Sequence, residues 1–345
     1  VSRVHDGILS TIGQTPLVRF RRAVPAWRGM LFAKLEGLNP GGSIKDRPAL
    51  EIIDRARETG AIGPDTIVIE SSSGNIGIGL AQVCAYHGLR FICVVDPKTT
   101  AQNLALLRAY GAEIDMVHEA NAHGEYLETR IARVQALLQL MPDAYWPNQY
   151  ANRWNVRSHA THTMPEIIAQ VDGPIDYLFC ATSTCGTITG CAEYLRDAGL
   201  PTRTIAVDAA GSVIFGGRKA TRLIPGHGAA IRPALCDDTL IEACVHVPDA
   251  DCILACRSLL RTEAVLAGGS SGAVLAAVAQ MAATVPPDAT AVVILPDRGE
   301  RYLDTIYSDT WVASHFGNLL TEVRHWPAVP RGTTVTRTRI ETPTF

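Results

Sequence analysis

Short apolar runs alternate with longer stretches whose apolar positions recur at helical spacing, and the alternation persists over most of the chain. Strands are expected at 31–35, 66–70, 90–95, 113–117, 176–181, 204–208 and 291–295, and helices at 44–59, 75–87, 101–110 and 186–198. Strands separated by helices predict an α/β protein with two open, mostly parallel-sheet lobes and helices on both faces. The expected small N-terminal lobe spans 36–152, and the large lobe combines 1–35 with 153–326. Residues 210–235, rich in Gly, Arg and His with little periodicity, read as a surface loop or an element that moves over a site. The tail, 327–345, is rich in Thr, Pro and Arg and fits disorder or packing against a partner subunit.

Composition narrows the class. A chain of 345 residues, 47% hydrophobic and 19% charged, folds as a soluble globular protein. Its formal charge of -3 comes from acidic and basic residues spread along the length, so no basic stripe points to nucleic acid or anionic lipid, and small molecules are the expected partners. No apolar run approaches the roughly 20 residues of a membrane span, and Val1 to Gln14 lacks a charged segment followed by an apolar core; a cytoplasmic location is expected. The cysteines form no CxxC pair and several lie in apolar runs, so buried free thiols are expected, with no disulfide and no structural metal.

Four glycine and hydroxyl loops carry the candidate chemistry. The first, Asn39-Pro40-Gly41-Gly42-Ser43-Ile44-Lys45-Asp46-Arg47, follows a strand and opens a helix. A lysine there meets the positive end of the helix dipole, a mismatch of roughly 0.3–1 kcal/mol that disfavours its protonated form and suits a covalent amine. The bland alternative is a turn capped by Ser43 with a solvated lysine. The second loop, Glu70-Ser71-Ser72-Ser73-Gly74-Asn75-Ile76-Gly77, offers hydroxyls and backbone N–H groups to an anion, or merely caps its helix. The third, Ala181-Thr182-Ser183-Thr184-Cys185-Gly186-Thr187, has more hydroxyls than a cap needs and suits a phosphate. The fourth, Gly268-Gly269-Ser270-Ser271-Gly272, formally satisfies GxSxG, so a serine hydrolase using Ser270 with Asp297 or Asp304 and His315 is a rival, although the HGGG-type oxyanion segment is missing. Neither a dinucleotide fingerprint nor a Walker loop is present.

In this order and spacing the loops resemble the cysteine synthase and cystathionine β-synthase family of pyridoxal-phosphate enzymes, of fold type II, the tryptophan synthase β-like architecture. The likeness extends from Thr11-Ile12-Gly13-Gln14-Thr15-Pro16-Leu17, through Lys34-Leu35-Glu36-Gly37, to Pro296-Asp297-Arg298-Gly299-Glu300. It implies pyridoxal 5'-phosphate bound to Lys45 as a Schiff base, with Lys45 also moving the α-proton, Asn75 on the phenolic oxygen, Ser183, Thr184, Cys185, Gly186 and Thr187 around the phosphate, and Ser270 facing the pyridine nitrogen. Ser72, Ser73 and Gln149 would hold the substrate carboxylate, and a homodimer is implied. A neutral serine at the ring nitrogen leaves it unprotonated, which favours loss of a β-substituent over transamination or racemisation.

The chain departs from plain sulfhydrylases in having Ser183-Thr184-Cys185-Gly186-Thr187 where they carry GTGGT, and Ile76 where they carry Thr. Glu70 to Asn75, Val94-Val95-Asp96-Pro97-Lys98-Thr99 and Arg222-Leu223-Ile224-Pro225-Gly226-His227-Gly228 look closest to the branch that makes N-(2-amino-2-carboxyethyl)-L-glutamate from O-phospho-L-serine and L-glutamate, toward 2,3-diaminopropionate for siderophores or peptide antibiotics. Arg218 and Arg222 are the cations expected to meet the added negative charge. Cysteine formation from O-acetylserine or O-phosphoserine and sulfide is the alternative.

Overall fold

The computed structural model describes residues 4–121, 124–326 and 334–337. In chain order its strands are β1 (Leu17–Phe20), β2 (Leu31–Leu35), β3 (Ile67–Ser71), β4 (Arg90–Val95), β5 (Glu113–Met116), β6 (Tyr177–Ala181), β7 (Arg203–Ala209), β8 (Ala243–Val247), β9 (Ala291–Leu295) and β10 (Thr334–Arg337). The helices are α1 (Asp46–Glu58), α2 (Asn75–His87), α3 (Ala101–Ala109), α4 (Leu127–Leu140), α5 (Arg153–Ser158), α6 (Met164–Gln170), α7 (Gly186–Asp197), α8 (Asp249–Glu263), α9 (Gly269–Met281) and α10 (Asp309–Phe316). None of the described helices is long and apolar enough to cross a membrane.

The chain divides into two compact units. The first comprises residues 1–12 and 39–158, the second 13–38 and 159–345. These bounds differ from the expected ones at three places, the first being that residues 36–38 fall in the second unit. Residues 1–12 belong with the smaller unit, because Leu9 and Ile12 pack into its apolar core. Residues 153–158 stay there too, since α5 lies along α1 and Arg55 sits 5.3 Å over the Trp154 ring.

In the first unit β3, β4 and β5 form a parallel sheet in that order, and Tyr145 extends it by pairing beside β3. The two-residue period of a strand sends alternate side chains to opposite faces. Val68, Phe91, Cys93 and Val95 join Ala49 and Ile53 of α1, Ile78 and Leu80 of α2 and Leu107 of α3 on one side. Ile69, Ile92 and Val94 meet Val134 and Leu137 of α4 on the other. These strands therefore read as unbroken apolar runs, as expected of a sheet covered on both faces.

The second unit is built on a seven-stranded sheet in the order β1-β2-β9-β6-β7-β8-β10. Its five central strands are parallel and both edge strands run antiparallel. Tyr177, Phe179, Val207, Val245 and Val293 share a core with residues of α8 and α9. The alternate positions Leu178, Cys180, Ala206 and Cys244 are equally buried, and the Cys180 thiol meets Cys191 of α7. The expected flexible or partner-packed tail lies outside the described residues except at β10, which pairs with β8.

Candidate active site

In the first unit, Lys45 stands where β2 has been left behind and α1 begins. It is the residue immediately before the helix, at φ -74 and ψ -12, rather than inside the first turn. The Asp46 carboxylate accepts the Gly41 N–H at 2.6 Å and folds the loop back on itself. A Cβ on Gly41 would lie 2.6 Å from Asp46 Oδ1, so a side chain there would have to push this carboxylate aside. Gly79 of α2 lets that helix press against the same spot: its Cβ would be 3.1 Å from both the Lys45 carbonyl oxygen and Ala49 Cβ. The half-buried lysine thus projects from a fixed backbone.

The serine loop closes β3 and opens α2. Ser72 Oγ accepts the N–H groups of Gly74 and Gly77, each at 3.1 Å, so this hydroxyl organises the helix N-terminus. Ser73 and Asn75 are half-buried, and Asn103 Nδ2 donates to the Ser73 carbonyl at 2.9 Å. Gln149 belongs to the same unit, buried, with its carbonyl accepting from Asn155 Nδ2 at 2.8 Å. Its backbone N–H donates to Glu70 at 3.2 Å. Glu70, at the end of β3, also accepts from the Ser71 N–H at 2.8 Å and Trp146 Nε1 at 3.1 Å. Burial pushes its carboxyl up to about 7, opposed by these three donors and by Arg130. Cys93 and Tyr145 also feel this charge.

In the second unit the third loop enters α7. Cys185 precedes the helix at φ 64, a left-handed conformation usually left to glycine. Thr184, Gly186 and Thr187 are buried while Ser183 is half-buried, and the Gly186 N–H approaches Thr184 Oγ1 at 3.4 Å. The Thr187 hydroxyl hydrogen-bonds with His159 Nε2 at 3.3 Å, and His159 Nδ1 with Thr163 Oγ1 at 2.9 Å. His159 opens a π-helical turn, His159–Thr163, a distortion often found at functional positions. The N–H groups of α7, the hydroxyls and the positive end of the helix dipole form a donor set that fits a phosphate.

Ser270 is the second residue of α9 and is buried. The hydrolase rival finds no triad: His315 hydrogen-bonds with Ser314 and the Trp311 carbonyl and stacks on Trp311 at 4.4 Å, all on its own helix. In the loop after β7, Arg222 donates to the His227 carbonyl at 2.9 Å, whereas Arg218 is exposed and makes no hydrogen bond or ion pair among the described residues. The loop is tied at its base by Val213 N–H to Ala229 O at 3.0 Å and Gly228 N–H to Thr182 O at 2.7 Å.

Sequence spacing also hid one trio of metal-ligand types. Asp208, Cys244 and His246 lie on neighbouring strands β7 and β8, with ligand atoms within 4.8 Å of one another. His246 Nε2 stands 4.0 Å from both Asp208 Oδ2 and Cys244 Sγ. Tetrahedral zinc would draw its ligand atoms to about 3.3–3.8 Å. Asp208 Oδ1 already accepts from Thr182 Oγ1 at 3.1 Å and the Ala209 N–H at 2.9 Å. The trio reads as an Asp–His pair bracing the base of the phosphate loop.

Sequence reasoning named Lys45, Ser72, Ser73, Asn75 and Gln149, which share the first unit, and Ser183 to Thr187, Arg218, Arg222 and Ser270, which share the second. It missed Glu70 and His159. A carboxylate ending the apolar run Ile67-Val68-Ile69 was the available signal for the first; the second had none, being a histidine among polar neighbours.

A family model described as pyridoxal-phosphate dependent enzyme matches residues 8–297. An O-ureido-L-serine synthase structure is 30% identical, with a TM-score of 0.82, covering 90% of this chain and 99% of that one. An O-acetylserine dependent cystathionine β-synthase from Helicobacter pylori is 30% identical, with a TM-score of 0.82 and 89% and 100% coverage. O-acetylserine sulfhydrylase isoform 3 from Entamoeba histolytica is 31% identical, with a TM-score of 0.83 and 88% and 92% coverage. A lysine held before one helix, a phosphate-shaped donor set before another and this breadth of match agree, and the chain belongs to the pyridoxal-phosphate dependent enzymes of the β-replacement type.

Proposed function

We propose that this enzyme condenses O-phospho-L-serine with L-glutamate, releasing phosphate and forming N-(2-amino-2-carboxyethyl)-L-glutamate. Ser183, Thr184, Cys185, Gly186 and Thr187 hold the cofactor phosphate through hydroxyls and the N–H groups of α7. Lys45 would hold the cofactor through its amine, and its Nζ is the base that would take up the α-proton of the substrate. By family likeness Asn75 would donate to the phenolic oxygen of the cofactor, and Ser270 would offer a neutral hydroxyl to its ring nitrogen. Pyridoxal phosphate, when bound, draws electrons from Cα so that one β-substituent can leave and another add. Ser73 and Gln149 orient the α-carboxylate; Ser72 acts chiefly by fixing the loop, since its Oγ is engaged by Gly74 and Gly77.

The observation that supports this substrate pair is the uncommitted guanidinium of Arg218 on a loop pinned at its base. Phosphate and a second dicarboxylate each bring negative charge that needs a cation. Arg222 shapes the loop by holding His227, and Arg218 meets the incoming charge. The purified enzyme, given O-phospho-L-serine or O-acetyl-L-serine with glutamate or sulfide, should form the glutamate adduct, identified by mass. Efficient cysteine formation without adduct would assign the sulfhydrylase reaction instead. Homodimerisation, carried by family likeness alone, is checked by light scattering on the same sample.

A further inference from the structure

We propose that Glu70 is a positioning residue that sets the substrate-carboxylate site by holding the backbone of Gln149 in register with the serine loop. Its two oxygens divide the work. Oε1 accepts the Ser71 N–H at 2.8 Å and Trp146 Nε1 at 3.1 Å, while Oε2 accepts the Gln149 N–H at 3.2 Å. One buried carboxylate therefore joins the start of the loop that carries Ser72 and Ser73 to the separate segment that carries Gln149.

That segment needs holding. Asn148 has φ 48, a conformation that asparagine tolerates but that does not stabilise the chain by itself. Beyond it, Gln149 is secured on one side by Glu70 and on the other by Asn155. Tyr145 is already fixed to β3, donating to the Ile67 carbonyl at 2.8 Å and accepting from the Ile69 N–H at 2.9 Å. These two backbone ties place Gln149 so that its side-chain Nε2 reaches the Ser71 carbonyl at 3.5 Å, at the start of the serine loop.

Resting on the proposed role of Ser73 and Gln149 toward the α-carboxylate, the inference has a selective test. In Glu70→Gln the amide oxygen faces the two donors at Oε1, and the NH2 falls against the Gln149 N–H, so only that tie is lost. The dissociation constant of L-serine, read from the absorbance of the bound cofactor, should rise about tenfold. At saturating donor, kcat should stay within about twofold of wild type, with unchanged absorbance before ligand is added. Asn155→Ala, which removes the other tie, should weaken L-serine in the same way and serves where Glu70→Gln does not fold. Unchanged L-serine affinity in Glu70→Gln, beside a clear loss in Gln149→Ala, would overturn the role of Glu70 alone. Unchanged affinity in Gln149→Ala as well would overturn the carboxylate site and the inference with it.

Discussion

Cys185 carries a side chain at φ 64 beside the phosphate donors, where the left-handed backbone costs an L-residue about 1–2 kcal/mol. Its thiol meets Cys236, a contact glycine could not make. Cys185→Gly should leave cofactor binding intact and change holoprotein stability by no more than about 1 kcal/mol, the relieved strain offset by a more flexible unfolded chain. Cys185→Val, β-branched in the same conformation, should destabilise by about 2 kcal/mol or more, read as a fall in Tm. Glu70 gives a pH signature. With its carboxyl raised to about 7, protonation as pH falls through that value removes an acceptor from its three donors. Arg130 opposes that protonation, and the neighbouring Cys93 and Tyr145 remain neutral, their own groups pushed up by burial. L-Serine, which does not titrate in this range, should bind more weakly at pH 6 than at pH 8, and Glu70→Gln should flatten the profile. The hydroxyl loops were legible because capping chemistry and anion binding use the same residue types. The burial that moves Glu70, and the backbone conformation under Cys185, arise only from tertiary packing.

At the scale of elements, the helix α2 shows how a small residue places a reactive one. Gly79 brings α2 so close to the start of α1 that a methyl group would stand 3.1 Å from the Lys45 carbonyl oxygen. Gly79→Ala improves helix propensity by roughly 1 kcal/mol but must displace the loop that presents Lys45. Turnover should fall severalfold while Tm changes little, as seen by comparing kcat with thermal unfolding; equal kcat would show that the contact does not position the lysine. The strand at 31–35, the helix at 75–87 and the strand at 291–295 were fully legible, their apolar runs being bounded by turn residues. The strand β8 was not. Its sequence Ala243-Cys244-Val245-His246-Val247 places a histidine in a buried run, and what makes this tolerable is Asp208, its register partner on β7. A partner 38 positions away, on a different strand, cannot be read from local pattern or spacing.

For the whole molecule, one buried histidine sets a cost in mild acid. His227 is fully buried with both ring nitrogens lacking a hydrogen-bond partner among the described residues, and burial, Arg222 and His246 lower its pKa from 6.5 to about 3. Between those values the unfolded chain binds a proton on this residue that the folded one refuses, so the contribution of His227 to stability rises with pH there and is lost as pH drops below about 6.5. Glu70, raised to about 7, works the other way over the same range, so the readout is a difference: from pH 7 to pH 5 the urea midpoint of the wild type should fall relative to that of His227→Asn, and a constant difference between the two would overturn the role of His227. Fold class was legible because two covered sheets leave long apolar runs, whereas the membership of residues 1–12 depended on where Leu9 finds a core. The larger sheet has a further consequence for how copies of this chain can meet. Its five parallel strands are hemmed by β1 and β10, each four residues long and running the opposite way. Margins so short give an incoming extended segment few backbone groups to template on. Growth of the sheet from one molecule into the next through these two margins is thereby discouraged.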